Sequence, residues 1–332
     1  MSLIEVEDLH KTFAVAVRRH GRFGAIKTLL AREYQQLSAV DGISFRVEAG
    51  EMIGYIGPNG AGKSTTIKML TGILVPSSGR LAVDGRVPHQ QRVAHVRRIG
   101  VVFGQRSQLW WDLPTIESFE LLRHIYRIPE ARWRANLREF VELLDIGPFL
   151  ETPVRQLSLG QRMRADLVAA LLHEPAILFL DEPTIGLDVV AKERIRQFLA
   201  SINRGRGVTV ILTTHDLEDI TRLCQRVVLI DHGHVIYDGG LEDLRTRFGR
   251  QRTLVVDLDE PANGMRIANA EVVRHEGLRI WLRFDREATT AAALIADVAA
   301  RYRIRDLTVE EPAIEGIVRG IYEHGSVAPA NL

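Results

Sequence analysis

One nine-residue stretch constrains this chain more than any other: GPNGAGKST, Gly57 to Thr65, set between the apolar run EMIGYIG and the helical pattern STTIKMLTGIL. Gly57, Gly60 and Gly62 let the backbone fold around an anion with its N–H groups pointing inward. The helix that follows adds the positive end of its dipole. Pro58, Asn59 and Ala61 complete the loop, Lys63 is placed to reach the β- and γ-phosphates of a nucleotide, and Ser64, followed by Thr65, to ligate Mg²⁺. A strand, a glycine-rich loop and a helix in that order belong to an α/β layer structure. The rest of the first half agrees, because apolar runs at 51–57, 99–103, 176–181 and 209–213 alternate with helical segments, the pattern of a largely parallel sheet.

Between the second and third of these strands, Ile116, Phe119, Leu122 and Ile125, then Trp133, Leu137, Phe140 and Leu144, recur at helical spacing. They predict a helical subdomain, about 106–174, inserted in the sheet. After about Leu244 the pattern changes. TLVVDL, EVVRHEG, RIWLRFD and DLTVEE read as strands, TTAAALIADVAARY and AIEGIVRGIYEH as helices, so 245–332 is expected to form a small α+β domain of about 85 residues. No internal repeat or low-complexity tract interrupts this division into 1–244 and 245–332.

Composition excludes several classes of function. Lysine plus arginine is 43 against 42 aspartate plus glutamate, so a net charge of +1 gives no reason to expect nucleic acid as a partner. Cys224 is the single cysteine, which rules out an intrachain disulfide and suits a reducing compartment. The opening MSLIEVEDLHKTF lacks the apolar core of a signal peptide, and no apolar run approaches the ~18–20 residues of a membrane span. The expectation is a chain that does not itself cross a bilayer.

Two further motifs carry chemistry. AILFLDEPT ends an apolar strand in adjacent carboxylates, and a buried strand that delivers charge at its C-terminal edge implies a cation or a substrate there. Asp181 suits the Mg²⁺ shell; Glu182, one residue on, is placed to polarise an attacking water as general base. RQLSLGQRMRADLVAALL places Ser158 at the N-cap of a helix whose Met163, Leu167 and Leu171 face inward.

LSLGQ resembles the signature motif of ATP-binding-cassette (ABC) ATPases. The other elements stand in that family's order: the P-loop at 57–65, a Q-loop glutamine at Gln105, LSLGQ at 157–161, LFLDEP at 178–183, then GLD at 186–188 with TTHD at 213–216. The resemblance covers residues 1 to about 244 and implies a P-loop NTPase fold of the ABC nucleotide-binding type, a RecA-like core plus helical subdomain. It implies that two such domains bind two ATP at their interface, each ATP between one domain's P-loop and the other's signature. Ser158, Gly160 and Gln161 would then contact the γ-phosphate held by the partner. His215 matches the switch histidine that senses that phosphate, Asp188 the loop coupling the two sites, and Gln105 a residue that touches Mg²⁺ or the attacking water. The implied partners are a second nucleotide-binding domain, in a homodimer or heterodimer, and an integral-membrane permease that the subunit serves from the cytoplasmic face of the cell membrane. DNA-repair and chromosome ABC ATPases carry long coiled coils, and translation-linked ones two cassettes; neither feature is found here. The cassette and IRDLTVEEPAIEGIVRGIYE look similar to ATPases of bacterial type-2 drug and ion exporters.

The chain departs from the family pattern in places. Leu159 replaces the first glycine of the usual LSGGQ, which puts a bulky side chain beside the phosphate-facing loop. The aromatic residue on which the family stacks adenine matches Phe13 or Tyr34, the two lying on either side of an insertion, AVAVRRHGRFGAIKTLLAREYQQL. From Lys11 to Arg32 there are six Lys or Arg and no acid, and Phe23, Ile26, Leu30 and Leu37 have helix-compatible spacing. That pattern predicts a basic amphipathic helix, either a solvated surface helix or one lying against headgroups or a permease. Trp110 and Trp111 cannot both face one way on a regular element. The reading is therefore one tryptophan in the core and one exposed as an aromatic anchor for the permease, with a core role for both as the alternative.

Overall fold

The computed structural model describes residues 2–16, 34–104, 106–249, 251–262, 264–312 and 314–324. Two compact units are formed, one by residues 1–238 with 328–332 and one by Gly239–Val327.

The first unit is built on a six-stranded sheet. Its strands are β3 (Met52–Ile56), β5 (Ile99–Phe103), β6 (Ile177–Asp181), β7 (Thr209–Thr213), β8 (Arg226–Asp231) and β9 (His234–Gly240), in the order β5-β6-β7-β3-β8-β9. The first five run parallel. Every residue of MIGYI and TVILT is buried, as expected of strands covered on both faces, and their apolar runs show no alternation for that reason. A second sheet, β2-β1-β4, is antiparallel and made of β1 (Ser2–Ala16), β2 (Tyr34–Glu48) and β4 (Ser78–Val83). Ile4, Val6, Ile43 and Phe45 from this sheet share one core with Ile53, Tyr55, Ile67, Phe179 and Val228.

Here the sequence-based expectation fails at Leu37. That residue lies on β2, paired with Phe13, and Tyr34 pairs with Ala16. Antiparallel pairing with β1 fixes this end of the insertion as strand, and Tyr34 and Leu37 are both exposed on it. Phe23, Ile26 and Leu30, with most of the basic stretch, lie outside the described residues, as does Gln105.

Helix α1 (Lys63–Leu70) follows β3, and α2 (Arg92–Val96) precedes β5. The helical insertion comprises α3 (Thr115–Tyr126), α4 (Glu130–Leu144) and α5 (Leu159–Leu171). Phe119, Leu122, Phe140 and Leu144 are buried on the inward face that the helical spacing implied, whereas Ile125, at the same spacing, is exposed. Helices α6 (Val189–Arg206) and α7 (Leu217–Leu223) complete this unit's α-helices among the described residues, beside short 3-10 turns at Gly147–Phe149 and Val154–Gln156.

In the second unit, β10 (Gln251–Leu258), β11 (Ala270–Glu276), β12 (Arg279–Asp285) and β13 (Ile304–Glu310) form an antiparallel sheet in the order β11-β12-β10-β13. Helix α8 (Leu241–Phe248) precedes it, α9 (Ala291–Arg301) lies between β12 and β13, and α10 (Ile314–His324) follows. Leu294 and Val298 of α9 pack on Leu254, Val256, Ile280, Leu282 and Phe284 of the sheet.

Candidate functional site

The parallel sheet places its chemistry at the C-terminal ends of its strands. The loop after β3 closes on α1 through Gly62, whose φ of 105° is left-handed and whose missing Cβ would stand 2.4 Å from the Ala39 carbonyl oxygen. No side chain fits there, and the loop is thereby drawn tight against β2. At the end of β5, a Cβ on Gly104 would meet the Glu182 carbonyl oxygen at 2.2 Å, so this glycine lets the β5 and β6 loops touch.

Those two close approaches bound a cleft of about 540 Å³. Asn59, Gly60, Gly62, Lys63, Ser64 and Thr65 line one wall; Asp181, Glu182 and His215 line the other. Lys63 is 7% exposed, and its Nζ donates to the carbonyl oxygens of Gly57 at 2.6 Å and Pro58 at 3.0 Å. Burial pulls the Lys63 ammonium below its ordinary pKa, and the carboxylates of Glu182 and Asp181 oppose that pull. Ser64 Oγ donates to Asp181 Oδ2 at 3.1 Å, and Thr213 Oγ1 holds Asp181 Oδ1 from β7.

Glu182 adopts φ 57°, a left-handed conformation that costs a non-glycine residue about 1–3 kcal/mol. Its main chain is held there by the N–H donating to Thr213 O at 3.0 Å. The side chain is 17% exposed, and burial pushes its carboxyl above the ordinary range, against the charges of His215 and Lys63. His215 N donates to Glu182 Oε2 at 3.3 Å. His215 Nε2 comes within 3.0 Å of Oε1, but not in line for a hydrogen bond, and buried Oε1 has no donor in the structure. A buried carboxylate oxygen facing a cleft in that condition has capacity for a water or a ligand group.

Other expected residues stand outside the walls of this cleft. Ser158 caps α5 in a full capping box, its Oγ accepting from Gln161 N at 3.2 Å while Gln161 Oε1 accepts from Ser158 N at 2.8 Å. Leu159 lies against the GLD loop, because a Cβ on Gly186 would stand 2.9 Å from Leu159 Cδ2, and Gly160 leaves room beside Leu187 and Ala191. Asp188 caps α6 by accepting from Ala191 N at 2.8 Å. Phe13 sits on β1 beneath the Lys11 ammonium, 5.1 Å from its ring centre. Tyr34, at the start of β2, is exposed. Neither aromatic ring lines the cleft, which takes Ala39 from this hairpin.

The expectation of one inward tryptophan is also corrected. Trp110 is 39% and Trp111 53% exposed, since residues 106–114 form neither a helix nor a strand and Leu109 fills the core in their place. Sequence reasoning missed Ala39, Lys68, Ile73, Phe103, Gly104, Arg106 and Ile185, which also line the cleft. Lys68 and Arg106 bring cations to the cleft, but neither stands in a motif that marks it, and the other five carry no chemical signal by themselves. Thr213 was within TTHD, but only its register with Asp181 reveals its bond.

Ser64 and Asp181 offer a hydroxyl and one carboxylate to a Mg²⁺ that arrives with nucleotide phosphates, a donor set suited to that ion. No group of three His, Cys, Asp or Glu among the described residues is placed to hold a metal alone. No helix among them is long and apolar enough to cross a membrane.

The model of the ABC transporter family matches residues 40–185. The chain is 37% identical over 225 residues to the daunorubicin resistance ATP-binding protein DrrA3 of Streptomyces coeruleorubidus, covering 68% of this chain and 71% of that one. It is 31% identical over 300 residues to the methionine import ATP-binding protein MetN of Latilactobacillus sakei, covering 87% and 86%. A solved dimeric ATP-binding cassette in a post-hydrolysis state, bound to ADP and Pi, superposes with a TM-score of 0.59 at 25% identity, over 72% of this chain and 98% of that one.

Proposed function

Since the chain belongs to the family of ABC transporter ATP-binding proteins, and is an ATPase of transport, we propose that two nucleotide-binding subunits close on two ATP–Mg²⁺ and drive a separate membrane permease. The observation that carries this reading is the convergence of Lys63, Ser64, Asp181, Glu182 and His215 on one cleft, with Glu182 Oε1 left without a donor.

In this reading Lys63 exchanges its two loop carbonyls for β- and γ-phosphate oxygens, and the α1 N-terminus supports the same anion. Ser64 and Asp181 would hold Mg²⁺, which supplies neutralisation of the phosphate charge. Glu182 Oε1 takes a proton-sharing bond from the attacking water, and its raised proton affinity suits a general base. His215 steadies Glu182 through its main-chain N–H and offers its exposed ring to the γ-phosphate. Gln105, which lies outside the described residues, is assigned by the family resemblance to contact Mg²⁺ or the water. Phe13, or Tyr34 in its place, stacks on adenine. Ser158, Gly160 and Gln161 meet the partner's γ-phosphate, and Asp188 links the two sites. Residues 245–332 form an accessory domain that supports the dimer, the permease contact or regulation.

Glu182→Gln keeps the size of the side chain and removes the base. ATP hydrolysis should fall about 10²–10⁴-fold while ATP still binds, so the variant should elute as a dimer with ATP. Hydrolysis at the wild-type rate in that variant would remove the assignment.

Trp110 and Trp111, both exposed, form the permease anchor in this reading, and the subunit lies at the cytoplasmic face of the membrane. Alanine at either position should weaken co-purification with the permease without lowering the melting temperature; undiminished recovery in both would exclude the anchor. We assign export as the direction. Support comes from the C-terminal stretch similar to type-2 exporters and from the 37% identity over 225 residues to the drug-resistance relative, against 31% over 300 residues to the import relative.

A further inference from the structure

The carboxylate of Asp166 takes no part in the ATP chemistry, yet it is tied to the segment that leaves the nucleotide cleft. It lies on α5, two turns beyond the Ser158 cap, and is 4% exposed. Its Oδ1 accepts from Ser107 Oγ at 2.9 Å and from Gln108 N at 3.0 Å, and Gln108 Nε2 donates back to Asp166 O at 3.0 Å. Ser107 Oγ in turn accepts from Leu109 N at 3.1 Å, so the carboxylate fixes a turn of the loop. Four residues earlier on the same helix face, the Arg162 guanidinium stands 5.7 Å from the Trp111 ring centre. One helix thus holds the loop at both ends, and the residue just before it, Arg106, lines the cleft.

We propose that Asp166 is a positioning residue for ATP hydrolysis: it latches loop 107–111 to α5, so that movement of the Ser158–Gln161 end of the helix reaches the loop leaving the nucleotide cleft. The inference rests on the reading that Ser158–Gln161 meet the partner's ATP. A helix–loop joint that only needed packing would be served as well by an apolar side chain of similar volume. A buried acid whose oxygen is shared between a side-chain and a main-chain donor instead fixes distance and direction.

The test compares wild type, Asp166→Asn, Asp166→Leu, Ser107→Ala and the Asp166→Asn/Ser107→Ala pair as full-length chains, by kcat and KM for ATP and by melting. Asp166→Leu should lower kcat about 3- to 30-fold with KM unchanged within about two-fold, the range of mutations that modulate coupling between sites. Asp166→Asn should lower kcat less and melt no lower than wild type. Its loss should not add to that of Ser107→Ala, because both act on one bond. Unchanged kcat in every variant, additive losses, or kcat falling only in step with melting would each overturn the latch. Those outcomes leave the ATPase reading standing, whereas failure of the wild-type chain to hydrolyse ATP would remove that reading instead.

Discussion

The nucleotide cleft and the sheet of the second unit are both rich in charge, and they satisfy it in opposite ways. On β12, RIWLRFD alternates buried and accessible side chains, and the charges at its two ends, Arg279 and Asp285, close on their neighbours. Arg279 donates to both Asp257 oxygens at 2.6 Å, and the Arg274 guanidinium stands 4.7 Å from the Trp281 ring centre. In the cleft, strands buried along their whole length release charge only at their ends. There Lys63 is folded onto its own loop's carbonyls, and Glu182 Oε1 has no donor. A closed set of charges stabilises or decorates; an open set keeps hydrogen-bonding capacity for a ligand.

The largest effects should therefore follow acid-to-amide exchange in the open set alone. Glu182→Gln should cost the 10²–10⁴-fold of a lost general base, and the same exchange at Asp257 should leave ATP hydrolysis unaltered. A comparable loss from Asp257→Asn would break the contrast. Next comes Lys63→Ala. Removing a charge-assisted bond to phosphate should weaken ATP binding by about 1.5–3 kcal/mol, read from nucleotide titration, and ATP-driven dimerisation should fail with it.

Asp166 sharpens the comparison, because its charge is closed yet buried. Burial lifts its pKa from 3.8 to about 6, against the Ser107 and Gln108 bonds and the charge of Arg162. The folded pKa lies above the unfolded one, so the folded protein carries a penalty at pH above about 6 that fades as the pH falls toward 3.8. The penalty is on the order of 3 kcal/mol at neutral pH. Asp166→Asn does not titrate, so it should melt above wild type at pH 7.5, and the advantage should shrink at pH 5. An advantage that grew on acidification would contradict this assignment. Greater stability with lower kcat is the signature of a residue placed for function.

Much of this was legible in the chain because single motifs carry their own geometry. GPNGAGKST demands a strand before it and a helix after it, and both stand at the expected residues. The apolar runs of β5, β6 and β7 were found because strands buried on both faces are uniformly apolar. Strands β1 and β2 were missed as a long hairpin, since Leu37 is fixed by pairing with Phe13, a partner 24 residues away that no local period reveals. The tryptophans were misplaced for a related reason: the two-sided argument holds on a regular element, and residues 106–114 form none. Asp166 gave no sign at all. In RMRADLV it reads as one more helix residue, and only the approach of Ser107 shows why an acid is buried there.

The smallest effect tests the closed set directly. Arg279 holds the Asp257 carboxyl below the ordinary carboxylate range, so the pair's contribution is present at neutral pH and lost as the pH falls through that lowered value. Both side chains meet solvent, where ion pairs are screened and offset by the entropy of two ordered side chains. Arg279→Ala should accordingly leave melting unchanged at physiological salt, lower it slightly at low salt, and leave ATP hydrolysis untouched. A loss of hydrolysis would mean that this sheet takes part in the ATP cycle. Charges that close on each other would then no longer mark a region without a ligand.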